Sequence, residues 1–197
     1  STPNRQMDMI AGPDFRWLLN VISVKRGYVD LSAGLPPAQE LLETMRVYQN
    51  GNPLKSDANA NMASLSKRWE LEPVLDIKRQ RLAYAYGDAM SRHVEFNLIR
   101  FGRQAELGFM AKWTSLFSLN DFETYQNEIT QLVDTVEFLP NHAYAEYQAG
   151  DSRAPYQLLT QLITGTPSEG FTEFSNAVGN AIKRDEEKKQ AKINGLL

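Results

Sequence analysis

The chain has 197 residues, a formal net charge of −3 and no cysteine. This length predicts a single domain, the lack of cysteine excludes disulfides and thiolate metal ligands, and the acidic balance argues against a generic nucleic-acid binder. No apolar run approaches the ~20 residues that cross a bilayer, and no signal peptide is recognisable.

Helical spacing of apolar residues predicts the elements of the N-terminal half. Residues 1–12 form a polar, irregular arm in this interpretation. Helices are predicted from Asp14 to Gly27, after the turn at 30–37, and at 62–71. Their apolar positions are, in chain order, Phe15, Leu18, Leu19 and Ile22; then Leu41, Leu42, Met45 and Tyr48; then Leu65 and Trp69.

A long central helix is predicted for residues 75–117, with Pro73 in its first turn. Apolar residues occur on nearly every side of this helix, which is typical of a helix that is buried or shared between subunits. Gly87, Gly102 and Gly108 are its weak points, because glycine costs about 1 kcal/mol relative to alanine inside a helix.

The C-terminal part carries the clearest helix signals. Asn120 as N-cap and Glu123 three residues later begin a helix that Pro140 ends. A short helix follows Pro155 and ends at Gly165, and a last helix is predicted from Pro167 to about residue 182. Their apolar positions are Phe122, Tyr125, Ile129, Leu132, Val133 and Val136; then Leu158, Leu159, Leu162 and Ile163; then Phe171, Phe174, Val178 and Ile182.

Together these elements predict an all-α fold, an irregular bundle of six or seven helices around one long central helix. The predicted organisation is an N-terminal arm at 1–12, a helical domain at 13–182 and a polar C-terminal extension at 183–197. No repeat and no sustained apolar/polar alternation was evident along the chain.

Charge is distributed unevenly along the chain. Residues 74–113 carry seven Lys/Arg and four acidic residues, whereas residues 114–152 carry seven acidic residues and no Lys or Arg. Opposite charges in adjoining segments can pair within one subunit or between subunits, or can leave the basic side free for an anionic partner.

The basic residues are therefore a candidate contact surface for nucleic acid. On a helical wheel most of them share an arc that could follow a phosphate backbone. Pairing with acidic residues, within the helix or across a contact, is the stronger alternative. The residues predicted to contact nucleic acid in this alternative are Lys78, Arg79, Arg81, Arg100 and Arg103.

A second group of residues indicates a subunit interface. Tyrosines on polar connections are frequent contact residues, although they also cap hydrophobic cores. The apolar C-terminal pair could dock on a neighbouring copy. The predicted interface residues are Tyr144, Tyr147, Tyr156, Leu196 and Leu197.

No catalytic, metal or cofactor motif is present, so no catalytic residue, metal or cofactor is assigned. The function predicted from the sequence is a non-enzymatic, self-assembling structural protein, most specifically a virion component such as a coat, nucleocapsid or internal protein, located in the virion or cytoplasm. Its partners would be copies of itself, with nucleic acid as an alternative partner. A soluble helical adaptor, and an enzyme or small-molecule binder with an unmarked pocket, are the remaining alternatives.

Overall fold

A computed structural model describes residues 5–12, 17–49, 67–88, 93–113, 119–155 and 158–165. Within these ranges the chain forms a six-stranded antiparallel sheet and three short α-helices. The strands are β1 (Arg5–Ala11), β2 (Leu18–Lys25), β3 (Lys67–Asp76), β4 (Arg81–Asp88), β5 (His93–Phe101) and β6 (Ala105–Trp113). The helices are α1 (Ala38–Gln49), α2 (Leu119–Asp134) and α3 (Leu158–Thr164).

The strands lie in the order β1-β2-β6-β5-β4-β3. β1 and β2 form one antiparallel pair, and β3 to β6 form a meander in which each strand pairs with the next. The two units join through β2 and β6, from Leu19 opposite Ala111 to Lys25 opposite Ala105. β1 and β3 are therefore the two edges of the sheet.

Both faces of the sheet carry a hydrophobic core. α2 covers one face, here called the α2 face; α1 and α3 lie on the other, the α1–α3 face. The α2 face buries Trp17, Leu19, Ala85, Phe96, Leu98, Phe109 and Ala111 with Tyr125, Ile129 and Val133 of α2. The α1–α3 face buries Val29, Leu31, Leu82, Tyr84, Ile99 and Phe101 with Leu41, Met45, Leu158, Leu159 and Ile163 of the two helices.

This architecture shows that the predicted all-α fold is wrong. The central helix predicted at 75–117 is replaced by the end of β3 and by β4, β5 and β6. Because the sheet is buried on both faces, its strands carry apolar residues at odd and even positions. The same pattern puts apolar residues on every side of a helical wheel, which explains the error.

The helices predicted at 14–27 and 62–71 are also wrong where the structure describes them. β2 occupies Leu18–Lys25, and β3 begins at Lys67. Leu18, Leu19 and Ile22 match helical spacing by coincidence, whereas the β-branched residues of β2 favour an extended chain. β1 lies within the arm predicted at residues 1–12.

Three helix predictions are confirmed. The predicted apolar stripes coincide with α1, α2 and α3, and the stripe residues Met45, Ile129 and Ile163 are buried. Each of these helices has one apolar stripe, so the period of 3.6 residues is unambiguous in the sequence. The last predicted helix and the polar extension lie outside the described residues.

Replacing Ile129 with alanine tests the packing of α2 on the sheet. Ile129 is fully buried in the core of the α2 face, so Ile129→Ala is expected to lower the free energy of unfolding by about 2–5 kcal/mol. Urea unfolding followed by circular dichroism measures the loss. The control Leu139→Ala removes a side chain that is 73% exposed and should change stability by less than about 0.5 kcal/mol. Equal losses in the two variants would contradict this packing.

Candidate functional site

The five predicted basic residues lie at one end of the sheet. Lys78 and Arg79 lie in the turn between β3 and β4, Arg81 begins β4, Arg100 lies near the end of β5, and Arg103 lies in the following turn. Antiparallel pairing brings these chain segments together, with Arg81 directly opposite Arg100. The structure therefore gathers the set, although on turns and strands rather than along a helix.

Acidic side chains of the same chain pair with most of this basic cluster. Arg81 Nη1 lies 2.7 Å from Asp134 Oδ1 on α2, and Arg79 pairs with Asp76 at 2.9 Å. Arg100 donates a hydrogen bond to the carbonyl oxygen of Val133. The acidic segment thus meets the basic segment within one molecule, which weakens the charge-based argument for a contact between copies.

Arg103 is the most firmly held member of the cluster. Its Nε and Nη2 donate to the two carboxylate oxygens of Asp151, at 2.7 and 2.9 Å, and Gln104 also donates to Asp151. These donors hold the pKa of the Asp151 carboxyl well below its usual range. A bidentate arrangement of this kind positions the segment that follows α2. Nucleic-acid binding by the five residues stays a prediction.

The two described interface tyrosines lie in an aromatic cluster within the chain. The ring of Tyr28 lies 4.8 Å from that of Tyr144 and 4.0 Å from that of Tyr147. Tyr144 donates to the carbonyl oxygen of Val29 and accepts from the N–H of Leu31. These contacts connect the exit of β2 to the C-terminal segment. Tyr156, Leu196 and Leu197 lie outside the described residues.

The two edges of the sheet differ in chemistry. Both edge strands carry charged residues, but β3 also contains Pro73 and two register shifts, which discourage pairing with another strand. β1 pairs regularly with β2 over its whole length and has no register shift. In the described chain no strand pairs with its outer side. Met9 and Ile10, on opposite faces of β1, are 67% and 40% exposed.

A groove of about 380 Å³ lies on the α1–α3 face, over β2, β6 and β5. α1 and α3 cover the other part of this face, and Leu162 of α3 forms one side of the groove. Most of its lining is apolar. The lining residues include Ile22, Val24, Tyr84, Ile99, Gly108 and Met110 together with the polar residues Arg26, Asn97 and Glu106.

One end of the groove carries a charged pair. Arg26 Nε donates to Glu106 Oε1 at 2.7 Å, because β2 and β6 place Val24 opposite Glu106. The Glu106 side chain is only 5% exposed, and its Oε2 has no hydrogen-bond partner in the part of the chain that the structure describes. Burial raises the pKa of the Glu106 carboxyl, and Arg26 opposes this shift.

Gly108 leaves space at the floor of the groove. A glycine within a strand is less stable than alanine by roughly 0.5–1 kcal/mol, so it usually marks a close approach or a bend. At Gly108 an added Cβ would lie no nearer than 3.8 Å to another atom, the carbonyl oxygen of Ile22. No steric demand of the fold therefore requires glycine, and its effect is to keep the groove open.

The sequence did not predict Arg26, Glu106 or Gly108 as site residues. At helical spacing Glu106 would lie next to Arg103, whereas in the structure Glu106 contacts Arg26 and Arg103 contacts Asp151. A signal was present, because Glu106 is the single acidic residue between Ala105 and Met110, where the other residues are apolar or glycine. An isolated charge in such a run indicates either a paired core group or a site.

The chain belongs to a family of proteins of unknown function, DUF2167, whose model matches residues 5–175. The matched region contains all six strands and the three described helices, and so includes both the β1 edge and the groove. No curated protein matches the chain. Among the described residues no helix is long and apolar enough to cross a membrane.

The contact between Arg103 and Asp151 predicts how stability depends on pH. The pKa of the Asp151 carboxyl is lowered in the fold, so its contribution is present above the usual pKa of about 3.9 and decreases as the pH falls below it. Asp151→Asn should therefore have a lower free energy of unfolding than wild type at pH 7, and this difference between the two proteins should be smaller at pH 3. Urea unfolding at both pH values measures this difference. In an Arg103→Met background, Asp151→Asn should lower the free energy of unfolding by a smaller amount. A difference in stability that does not change with pH would contradict the stabilising role of the Asp151 carboxylate.

Proposed function

We propose that this domain is a non-enzymatic module that self-associates by pairing β1 with β1 of a second copy. The observation that supports the proposal most directly is the regular outer edge of β1, flanked by the exposed side chains of Met9 and Ile10. Although β1 carries Arg5 and Asp8, its outer edge has no bulge and no pairing strand among the described residues, and such an edge is a template for pairing with another chain.

Symmetry makes this pairing self-complementary. Two antiparallel β1 strands related by a two-fold axis present the same residues to each other, as isologous interfaces do. The sheets of the two copies would then form one continuous sheet. Its backbone hydrogen bonds would satisfy the outer N–H and C=O groups of β1, and such groups are obligatory donors and acceptors.

Exposed apolar residues next to the edge would add to the contact. Met9 lies on the α1–α3 face, on which Leu18 of β2 is 45% exposed, and Ile10 lies on the α2 face. Pairing through β1 would bring each of these side chains close to its counterpart in the second copy. Each would lose part of its exposed apolar area, which is the main favourable term in association.

Other functions expected from the sequence have less support. One basis of the virion hypothesis was a central helix shared between subunits, and strands β3 to β6 occupy the described part of that segment instead. The nucleic-acid alternative keeps the basic end of the sheet, where intramolecular acids already pair with Arg79, Arg81 and Arg103. Neither alternative uses the β1 edge.

A lysine at position 9 of β1 should prevent the association. Met9→Lys places an ammonium group on the pairing strand, and the two-fold axis would bring the like charges of the two copies close together. Sedimentation-velocity centrifugation over a concentration series is expected to show a dimer for wild type and a monomer for Met9→Lys.

The matched control is Val74→Lys, which introduces the same charge on the opposite edge strand at a residue that is 54% exposed. This variant should dimerise like wild type. A monomeric wild type at every concentration, or an equal loss of dimer in both variants, would refute the proposal.

A further inference from the structure

We infer that the groove on the α1–α3 face is a binding site for a small, neutral, mainly apolar molecule that donates one hydrogen bond to Glu106. The site is independent of the β1 edge, because its lining comes from β2, β4, β5, β6 and α3. A volume of about 380 Å³ lies within the range of small-molecule sites, which combine apolar walls with a few polar groups.

The apolar character of the ligand follows from the walls. Ile22 and Val24 of β2, Ile99 of β5 and Met110 of β6 line the groove. Methionine adapts its shape to different apolar partners, so Met110 suits a contact surface. Gly108 provides the space between these side chains, since nothing but the Ile22 carbonyl oxygen lies within 4 Å of its missing Cβ.

The hydrogen bond follows from the two oxygens of Glu106. Arg26 donates to Oε1, whereas Oε2 has no partner among the described residues. A side chain that is only 5% exposed gains little from water, so an unpaired carboxylate oxygen there is unfavourable until a donor reaches it. Oε2 itself has almost no exposed surface, but the terminal torsion of a glutamate is soft and allows it to turn toward a donor.

The neutral charge of the ligand follows from Arg26. The guanidinium already balances the carboxylate, so a cation in the groove would face Arg26 and an anion would face Glu106. A molecule that carries only a hydrogen-bond acceptor would place its lone pairs against a carboxylate oxygen. An N–H or O–H donor on an uncharged body is therefore the chemistry that this end of the groove accepts.

Indole and benzofuran test this chemistry directly. The two molecules have the same bicyclic shape, but indole has a ring N–H donor where benzofuran has a ring oxygen acceptor. Titration of the full chain by calorimetry, with chemical-shift mapping to locate the site, should show that indole binds about tenfold more tightly or better. One hydrogen bond to a charged group supports a ratio of this size.

Two variants test separately the carboxylate of Glu106 and the open space at Gly108. Glu106→Gln keeps the shape but replaces an acceptor oxygen by an amide that can donate, so the preference for indole should disappear. Gly108→Val adds a branched side chain to the groove, and its Cβ would make only an ordinary contact at 3.8 Å with the Ile22 carbonyl oxygen, so neither probe should bind while the thermal midpoint is maintained or raised. Leu139→Ala, on an exposed residue outside the groove, should bind both probes as wild type does.

Several results would overturn the inference. These are the absence of binding by wild type, equal affinities for indole and benzofuran, and unchanged binding in Gly108→Val. If Glu106→Gln fails to fold, Gly108→Val and the comparison of the two probes on wild type still decide the outcome. Dimerisation through β1 can fail without affecting any of these measurements, so the two proposals are tested separately.

Discussion

Pairing between β2 and β6 is the interaction on which the rest of this structure depends. It connects the β1–β2 pair to the β3–β6 meander and extends from Leu19 opposite Ala111 to Lys25 opposite Ala105. Without it, the sheet would be two separate units, and the two-stranded β1–β2 pair would be at best marginally stable alone. With it, β1 becomes an edge and Arg26 comes within hydrogen-bond distance of Glu106.

The same pairing determines where the sheet stays uncovered. α2 covers its own face across the central strands, whereas α1 and α3 pack against the part of the opposite face formed by β3, β4 and β5. The surface over β2 and β6 is therefore open among the described residues, and the groove lies there. The charged residues lie elsewhere. Basic residues in and next to the turns of the sheet pair with acidic residues that follow β6, and these pairs lie at one end of the sheet.

Sequence patterns predicted part of this fold for a clear reason. α1 and α2 each expose one side and bury the other, so Leu41 and Ile129 recur with their neighbours at helical spacing, and the leucines of α3 follow the same spacing from Leu158. Strands buried on both faces have no such contrast. In β5, the alternation of Val94, Phe96 and Leu98 with Glu95 and Asn97 was a usable strand signal, but Ile99 and Phe101 extend the apolar pattern to the other face and conceal it.

By itself, the sequence determined the positions of the three amphipathic helices, the lack of cysteine chemistry and the opposite charges of adjoining segments. The tertiary structure alone decided which strands pair, which edge is open and which residues form the groove. The physical reason is distance along the chain. Helical periodicity is local, whereas Arg26 and Glu106 are 80 positions apart and come together only through strand pairing, which no local pattern of residues specifies.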